Sequence, residues 1–191
     1  MTIFLILAPY AVFSLLMLMT SAAPSLFVAA AVGLAVVASD LIRGRSIKMF
    51  GAGSAVLFAA TGLYLALIDP GMSSWAIRLT VDAGPFAIAL MSLVIRRPFT
   101  LQYAREMVDA ETARLPGFIR ANYIITAAWA GASMLMMFAN VAMIYVPGMP
   151  LWTGLVIAFA ARNSAVYFTR WYPAYRMAKY AASPAAALPV S

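Results

Sequence analysis

The stretch RRPFTLQYAREMVDAETARLPGFIR, residues 96–120, is the one long polar interval in a chain of 191 residues. It holds five of the thirteen Lys and Arg residues and three of the six Asp and Glu residues. On both sides of it the sequence is apolar in runs of about 20 residues, the length that a helix needs to cross a bilayer. We therefore interpret residues 96–120 as a polar connection that divides a helical membrane domain into two parts.

The overall composition is that of a membrane protein. Hydrophobic residues make up 65% of the chain and charged residues 10%, and the mean hydropathy is +0.92, whereas a soluble domain is roughly 45–50% apolar. Because unpaired backbone polar groups are costly in hydrocarbon, the spans must be helices or a closed barrel, and continuous apolar runs indicate helices. The chain contains no Cys and no His, which excludes disulfides, thiolate nucleophiles and His-ligated metals.

These features predict an all-α integral membrane protein with six transmembrane helices in a single domain, residues 1–180, followed by a flexible C-terminal tail, residues 181–191. The predicted spans cover about residues 3–20, 26–42, 47–68, 75–95, 123–146 and 151–169. In the third span, small residues recur at spacings of three or four and form one face, which favours close packing on another helix. These small residues are Gly51, Ala55, Ala59, Gly62 and Ala66.

The polar connection is predicted to contain an amphipathic helix over residues 100–115. Arg105 with Asp109, and Glu111 with Arg114, have the spacing of helical ion pairs. Such a helix would lie in the headgroup layer with its apolar side towards the hydrocarbon. The alternative is a solvated loop with a single helical turn.

The distribution of Lys and Arg predicts the orientation in the membrane. Residues 43–48, 96–120 and 170–179 contain three, five and three basic residues, whereas the predicted turns at residues 21–25, 69–74 and 147–150 contain none. The positive-inside rule therefore places the basic segments, and with them both termini, in the cytoplasm. The formal net charge of +7 is then explained by membrane anchoring, and we expect no nucleic-acid partner.

A small set of polar residues lies inside predicted spans, where each costs a few kcal/mol unless it has a partner or water. These residues are Arg78, Asp82, Asn140, Arg162 and Asn163. They are predicted either to line a polar cavity that binds a small ion, a metabolite or a lipid headgroup, or to form structural pairs across helices. Asp40, near Arg43 at the inner end of the second span, is expected to be a solvated end residue.

Residues throughout the chain carry a resemblance to one family. They are Leu115-Pro116, Asn122, Trp129-Ala130, Asn140-Val141-Ala142 and Trp152, with Pro9-Tyr10-Ala11-Val12-Phe13 and Thr61-Gly62-Leu63-Tyr64-Leu65 in the N-terminal half. This pattern resembles the bacterial inner-membrane septation proteins, the intracellular septation protein A family. The central segment is longer here, and residues 153–161 are uncharged where that family tends toward Phe-Lys. The resemblance implies a non-enzymatic protein of the bacterial cytoplasmic membrane that is linked to envelope synthesis and division.

Two classes of function follow from these observations. The first is an envelope- or division-associated protein that acts through contacts with anionic lipids, other membrane proteins or further copies of itself. Its predicted cytoplasmic contact surface consists of Arg96, Arg97, Arg105, Glu106, Arg114 and Arg120. The second is a small transporter or channel whose path is lined by Arg78, Asp82, Asn140 and Arg162. No catalytic, metal-binding or cofactor-binding motif is present, so neither class calls for an enzyme or a cofactor.

Overall fold

The computed structural model of the protein describes residues 2–181, with side chains from residue 7 to residue 179 except that of residue 151. The described chain is entirely helical. Its α-helices are α1 (Thr2–Met19), α2 (Ala22–Ile42), α3 (Met49–Leu67), α4 (Ser74–Val94), α5 (Phe99–Ala104), α6 (Pro116–Tyr145) and α7 (Leu151–Ala181). Two 3-10 turns, Arg105–Met107 and Thr112–Arg114, lie between α5 and α6. Residue 181 of the predicted tail belongs to α7, and the rest of that tail, residues 182–191, lies outside the described residues.

Four helices, α2, α3, α4 and α6, are long and apolar enough to cross a membrane. Over its described side chains, Leu7–Met19, α1 forms a shorter apolar helix. Helix α7 is long enough, but Arg162 and Asn163 in its middle lower its hydropathy. The helices pack in a connected series in which α2 contacts α1 and α3, α4 contacts α3 and α6, and α7 contacts α6.

The small residues of α3 form a packing seam against α2 within the single chain. A Cβ atom added to Gly33 of α2 would lie 3.2 Å from both Cα and Cβ of Ala55. Gly62 also lies against α2, where an added Cβ atom would be 3.2 Å from the side-chain ring of Phe27. Since the two backbones approach this closely only because the residues between them are small, the stripe acts as an intramolecular seam.

Aromatic rings join α1, α3 and α5 in the core. The ring centroids of Tyr10 and Phe58 are 5.0 Å apart, and those of Phe50 and Phe99 are 4.8 Å apart. The Tyr10 hydroxyl also forms a 2.8 Å hydrogen bond with that of Ser54. Phe99 thereby anchors the short helix α5 under the transmembrane helices.

Three predicted helix boundaries were wrong, and prolines explain two of them. Pro116 begins α6 instead of ending the preceding segment, because proline at the first helical position needs no hydrogen-bond partner for its nitrogen. Helix α2 likewise starts at Ala22 and accommodates Pro24 in its first turn, where the predicted turn at residues 21–25 was placed. Helix α7 continues through Pro173 to Ala181 instead of ending near residue 169.

The predicted amphipathic helix over residues 100–115 is also wrong. The helix α5 ends at Ala104, and Val108 adopts an extended conformation with φ −131° and ψ 162°. Asp109 is the reason for the next turn, because its carboxylate accepts hydrogen bonds of 2.8 Å from both the backbone N–H and the hydroxyl of Thr112. These hydrogen bonds lower the pKa of Asp109. The predicted pairing of Arg105 with Asp109 is therefore replaced by a local turn.

Helices α2 and α4 end in the same hydrogen-bonded motif but with different residues in the left-handed position. After α2 this position is Gly44, with φ +67°. After α4 it is Arg96, with φ +57°, and the Arg96 and Arg97 N–H groups donate to the carbonyls of Leu93 and Ser92. Glycine is the usual residue at this position of a Schellman motif, since a side chain there is strained by about 1–2 kcal/mol.

Candidate functional site

A polar cavity of about 210 Å³ lies between α1, α4, α6 and α7. Its polar lining consists of Tyr10, Ser14, Arg78, Asp82, Asn140 and Arg162, and its other walls are largely apolar. The structure therefore brings together four of the five polar residues that the sequence singled out inside the spans. The fifth, Asn163, does not line the cavity: its side-chain amide is exposed and donates to the Phe159 carbonyl at 2.8 Å.

Among the described residues, one direct hydrogen bond holds the carboxylate of Asp82. The side-chain amide of Asn140 donates to Asp82 Oδ2 over 2.7 Å, and the two residues are only 7% and 8% exposed. They come from α6 and α4, which pack closely along their length. The hydrogen bond therefore fixes the carboxylate at the wall of the cavity.

Positive charge exceeds negative charge in this cavity. Both Arg162 and Arg78 interact electrostatically with the Asp82 carboxylate, but neither guanidinium comes within the 4.0 Å of an ion pair with any carboxylate in the described chain. Arg78 instead lies 5.7 Å from the centre of the Trp75 ring, a cation–π arrangement. Two cations therefore face one anion in a confined space.

Arg162 lines the cavity without being fully buried. Arg162 is half-buried and makes no direct hydrogen bond or ion pair within the described residues. Yet none of the fully buried side-chain nitrogen or oxygen atoms in this part of the chain lacks a hydrogen-bond partner. The donors of Arg162 are therefore not fully enclosed by the described part of the chain.

A second, larger cavity of about 440 Å³ is bounded by α1, α5, α6 and α7 and has mainly apolar walls. Arg170 is its charged lining residue, and several uncharged polar groups at its walls bond to one another. The Thr100 hydroxyl donates to the Asn122 carbonyl at 2.9 Å and contacts the Thr126 hydroxyl at 2.8 Å, and the Trp129 indole N–H donates to Thr169 at 3.0 Å. Such a cavity suits an apolar ligand better than a charged one.

The sequence interpretation missed a buried lysine at the ends of the helices. The side chain of Lys48 is only 2% exposed, and its ammonium group lies 3.1 Å from the carboxylates of both Asp40 and Glu106. Asp40 is therefore not the solvated residue that we expected. The same ammonium lies 5.4 Å from the centre of the Tyr103 ring, and burial raises the pKa of Tyr103. This cluster joins α2, α3 and the segment that follows α4.

The six residues of the predicted cytoplasmic contact surface are all exposed, but they do not form one site. Arg96, Arg97 and Arg105 line a common groove. Glu106 forms an ion pair with Lys48. Arg114 belongs to the second 3-10 turn, and Arg120 belongs to α6. The predicted surface is thus divided into a groove with three arginines and a separate edge.

Comparisons of the chain with family models, with curated proteins and with solved structures find no match. The resemblance to the septation proteins therefore stays a prediction. The helices themselves define the class: the chain is all-helical, and four of its helices are long and apolar enough to cross a bilayer, which indicates a helical membrane protein.

Proposed function

We propose that this protein binds a small anionic solute in the polar cavity between α1, α4, α6 and α7 and carries it across the membrane. The observation that supports the proposal is the excess of positive charge there, with Arg78 and Arg162 facing the single carboxylate of Asp82. A charged residue inside a span is costly, so it is retained where it has a function or a firm partner. Within the described residues, Arg78 and Arg162 have no carboxylate at ion-pair distance. A function therefore explains their presence inside spans better than a structural partner does.

The proposed topology has six spans, formed by α1, α2, α3, α4, α6 and α7, with both termini in the cytoplasm of a bacterial inner membrane. In this orientation the cavity lies in the outer half of the bilayer, because Arg78 and Asp82 belong to the first turns of α4, which starts on the outer side. The apolar cavity beneath it, lined by the same helices α1 and α7, lies in the inner half.

The cavity residues have distinct roles in this proposal. The guanidiniums would replace the hydration shell of the anion with directed donors, and Arg in particular offers paired N–H groups to carboxylates and phosphates. The Asp82 carboxylate, fixed by Asn140, keeps the empty cavity from binding anions irreversibly, since it partly neutralises the two cations. Binding therefore depends on both arginines and is tuned by the carboxylate.

The first experiment uses the absence of cysteine in the chain. Single cysteines at positions 82, 140 and 162 are labelled with a membrane-impermeant thiol reagent in spheroplasts and in inverted vesicles, with Ser73→Cys and Thr112→Cys as outside and inside controls. A hydrated cavity predicts labelling at all three cavity positions, with 82 and 140 reached from outside. If all three stay unlabelled while the controls react, the polar groups are sealed and the transport proposal fails.

A binding measurement then separates a wet cavity from an anion site. Purified protein is titrated with small carboxylates, sulfate and phosphate while its thermal stability is followed. At least one anion should stabilise the wild type and Arg120→Gln, which removes an exposed charge outside the cavity, but not Arg162→Gln. If the anion stabilises Arg120→Gln and Arg162→Gln equally, the change in thermal stability comes from the overall charge of the protein and not from binding in the cavity.

The second candidate function is a non-enzymatic role in envelope synthesis or division through contacts with other membrane proteins. Its support is that all six residues of the contact surface are exposed and lie between the end of α4 and the first turns of α6. Replacing that surface while leaving the cavity intact should impair growth or division under this proposal, and cavity substitutions should not. A growth defect confined to the cavity variants would reject it.

A further inference from the structure

An open groove of about 730 Å³ lies where α4 ends and α3 begins. Three arginines, Arg96, Arg97 and Arg105, line it together with the polar side chains of Ser46 and Gln102. The groove is not a chance gap between mobile side chains, because the side-chain oxygen of Gln102 accepts a 2.9 Å hydrogen bond from the first N–H of α3, that of Met49. This bond fixes α5, which leads directly into Arg105, against α3.

Two acidic residues of the segment that contains Arg105 are engaged elsewhere. Glu106, which follows Arg105, turns to the buried Lys48 at 3.1 Å, and Asp109 bonds to Thr112. Within the described residues, none of the three groove arginines has a carboxylate within ion-pair distance. The groove therefore carries three uncompensated positive charges.

The backbone gives an independent indication that Arg96 is placed for its side chain. Arg96 occupies the left-handed position at the end of α4, with φ +57°, where the equivalent position after α2 is the glycine Gly44. A strained residue at a site that glycine would fill without strain is a reason to look for a function of the side chain. Arg96 is one of the residues that line the groove, and it is exposed.

The groove also lies next to the end of the apolar helix α4, where the headgroup layer is expected if α4 crosses the bilayer. The apolar helix α4 ends at Val94. The apolar residues that line the groove beside the arginines are Ile47, Met49, Pro98 and Leu101. A ligand that fills this groove thus meets guanidiniums on one side and apolar surface on the other. A free phosphate ion would use only the first of these features, whereas a phospholipid uses both.

We propose that Arg96, Arg97 and Arg105 form a binding site for the phosphate headgroup of an anionic phospholipid. The guanidiniums hold the phosphate oxygens through charge-assisted hydrogen bonds, and the apolar wall around Ile47 receives the start of the acyl chains. The site is separate from the polar cavity between α1, α4, α6 and α7, and it does not depend on transport.

The test is a lipid titration of the purified full chain in uncharged detergent, read by native mass spectrometry with phosphatidylglycerol and, for comparison, phosphatidylcholine. The variant with Arg96→Gln, Arg97→Gln and Arg105→Gln should bind phosphatidylglycerol about a hundredfold more weakly, since one basic residue near anionic lipid contributes roughly fivefold. The matched control, with Arg43→Gln, Arg114→Gln and Arg120→Gln, loses the same charge outside the groove and should bind like the wild type.

A second variant keeps the test decisive if the triple variant folds poorly. Arg96→Gly removes one guanidinium but suits the left-handed backbone better, so the protein should be at least as stable as the wild type while its lipid affinity falls about fivefold. Equal losses in the groove and control variants would overturn the proposal, as would unchanged affinity in Arg96→Gly. Full displacement of the lipid by millimolar inorganic phosphate would show that the site takes the free ion, and it would overturn the assignment to a lipid.

Discussion

Lys48 provides the sharpest test of how the end of α2, the start of α3 and the segment after α5 are held together. Its ammonium group is the shared partner of Asp40 from α2 and Glu106 from the segment after α5, each at 3.1 Å. The substitution Lys48→Met keeps most of the aliphatic stem and its packing, so the loss is confined to the charge. It leaves two carboxylates facing each other without the cation between them.

The size of the effect follows from the burial of the three groups. Removing one partner of a buried ion pair costs roughly 3–5 kcal/mol. The side chains of Asp40 and Glu106 remain 20% and 30% exposed, so water recovers part of that loss, and we expect a cost of about 2–4 kcal/mol. For a chain of this size, such a loss lowers the melting temperature by about 5–12 °C.

Thermal unfolding in a mild detergent measures this loss, and hydrogen exchange locates it. The amides of α5 and the following 3-10 turn should exchange faster in Lys48→Met, while those of the turn between α3 and α4 should not change. Arg45→Met is the matched control: Arg45 lies 3.8 Å from Asp40, but its side chain is 43% exposed, so its removal should cost under about 1 kcal/mol.

The triple substitution Lys48→Met, Asp40→Asn and Glu106→Gln completes the test. It neutralises the whole cluster and should recover much of the stability lost in Lys48→Met, because neutral groups no longer need the cation. Equal destabilisation by Lys48→Met and Arg45→Met would refute the reasoning. So would a triple variant that is no more stable than the single one.

Three further predictions concern the cavity, the seam and the central turn. Asn140→Ala should cost about 1.5–3 kcal/mol in unfolding free energy, since it removes a hydrogen bond to a charged group, and the cost should shrink in an Asp82→Asn background if the 2.7 Å bond is the cause; a cost independent of that background would contradict it. Gly33→Val should separate α2 from α3 and lower the melting temperature, because even a Cβ there would lie 3.2 Å from the α3 backbone; an unchanged melting temperature would mean that the seam is looser. The turn at Asp109 lowers the pKa of the Asp109 carboxyl group. The turn should therefore stabilise the protein above the ordinary Asp pKa of about 3.9, and this stabilisation should be lost as the pH falls below that value. Faster amide exchange at Thr112 at the lower pH would confirm this direction, and slower exchange would contradict it.

The sequence predicted those features of the fold that depend on residues close together in the chain. The apolar runs predicted α2, α3, α4 and α6 because the length of a span is a property of consecutive residues. The small residues of α3 similarly predicted close helix packing, which occurs against α2. The prediction for the central segment was wrong. Its charged residues have the spacing of helical ion pairs, but Asp109 accepts a hydrogen bond from Thr112 instead, and the helix does not form. Local spacing cannot distinguish two competing partners for one carboxylate.

The buried lysine shows the same limit for partners that are distant in sequence. Asp40 has Arg43 and Arg45 close by in the sequence, yet it lies nearest to Lys48, because the chain reverses at Gly44 and brings the start of α3 beside the end of α2. Glu106 reaches the same ammonium only after α5 has folded under the bundle, where Phe99 is anchored against Phe50. Such a pairing is set by tertiary packing and has no periodic signature.

The polar cavity separates what the sequence can determine from what it cannot. Counting residues from the ends of predicted spans gives the depth of each polar group, and Asp82 and Asn140, 58 positions apart, were both assigned to the candidate cavity because they lie inside predicted spans. Depth does not give the direction of a side chain around the helix axis. Arg162 and Asn163 are neighbours at the same depth, but consecutive residues point about 100° apart on a helix, so only Arg162 faces the cavity while Asn163 bonds to its own helix. The face that a polar residue presents is decided by which apolar neighbours pack, and along α7 the hydrophobic pattern is too even to predict it.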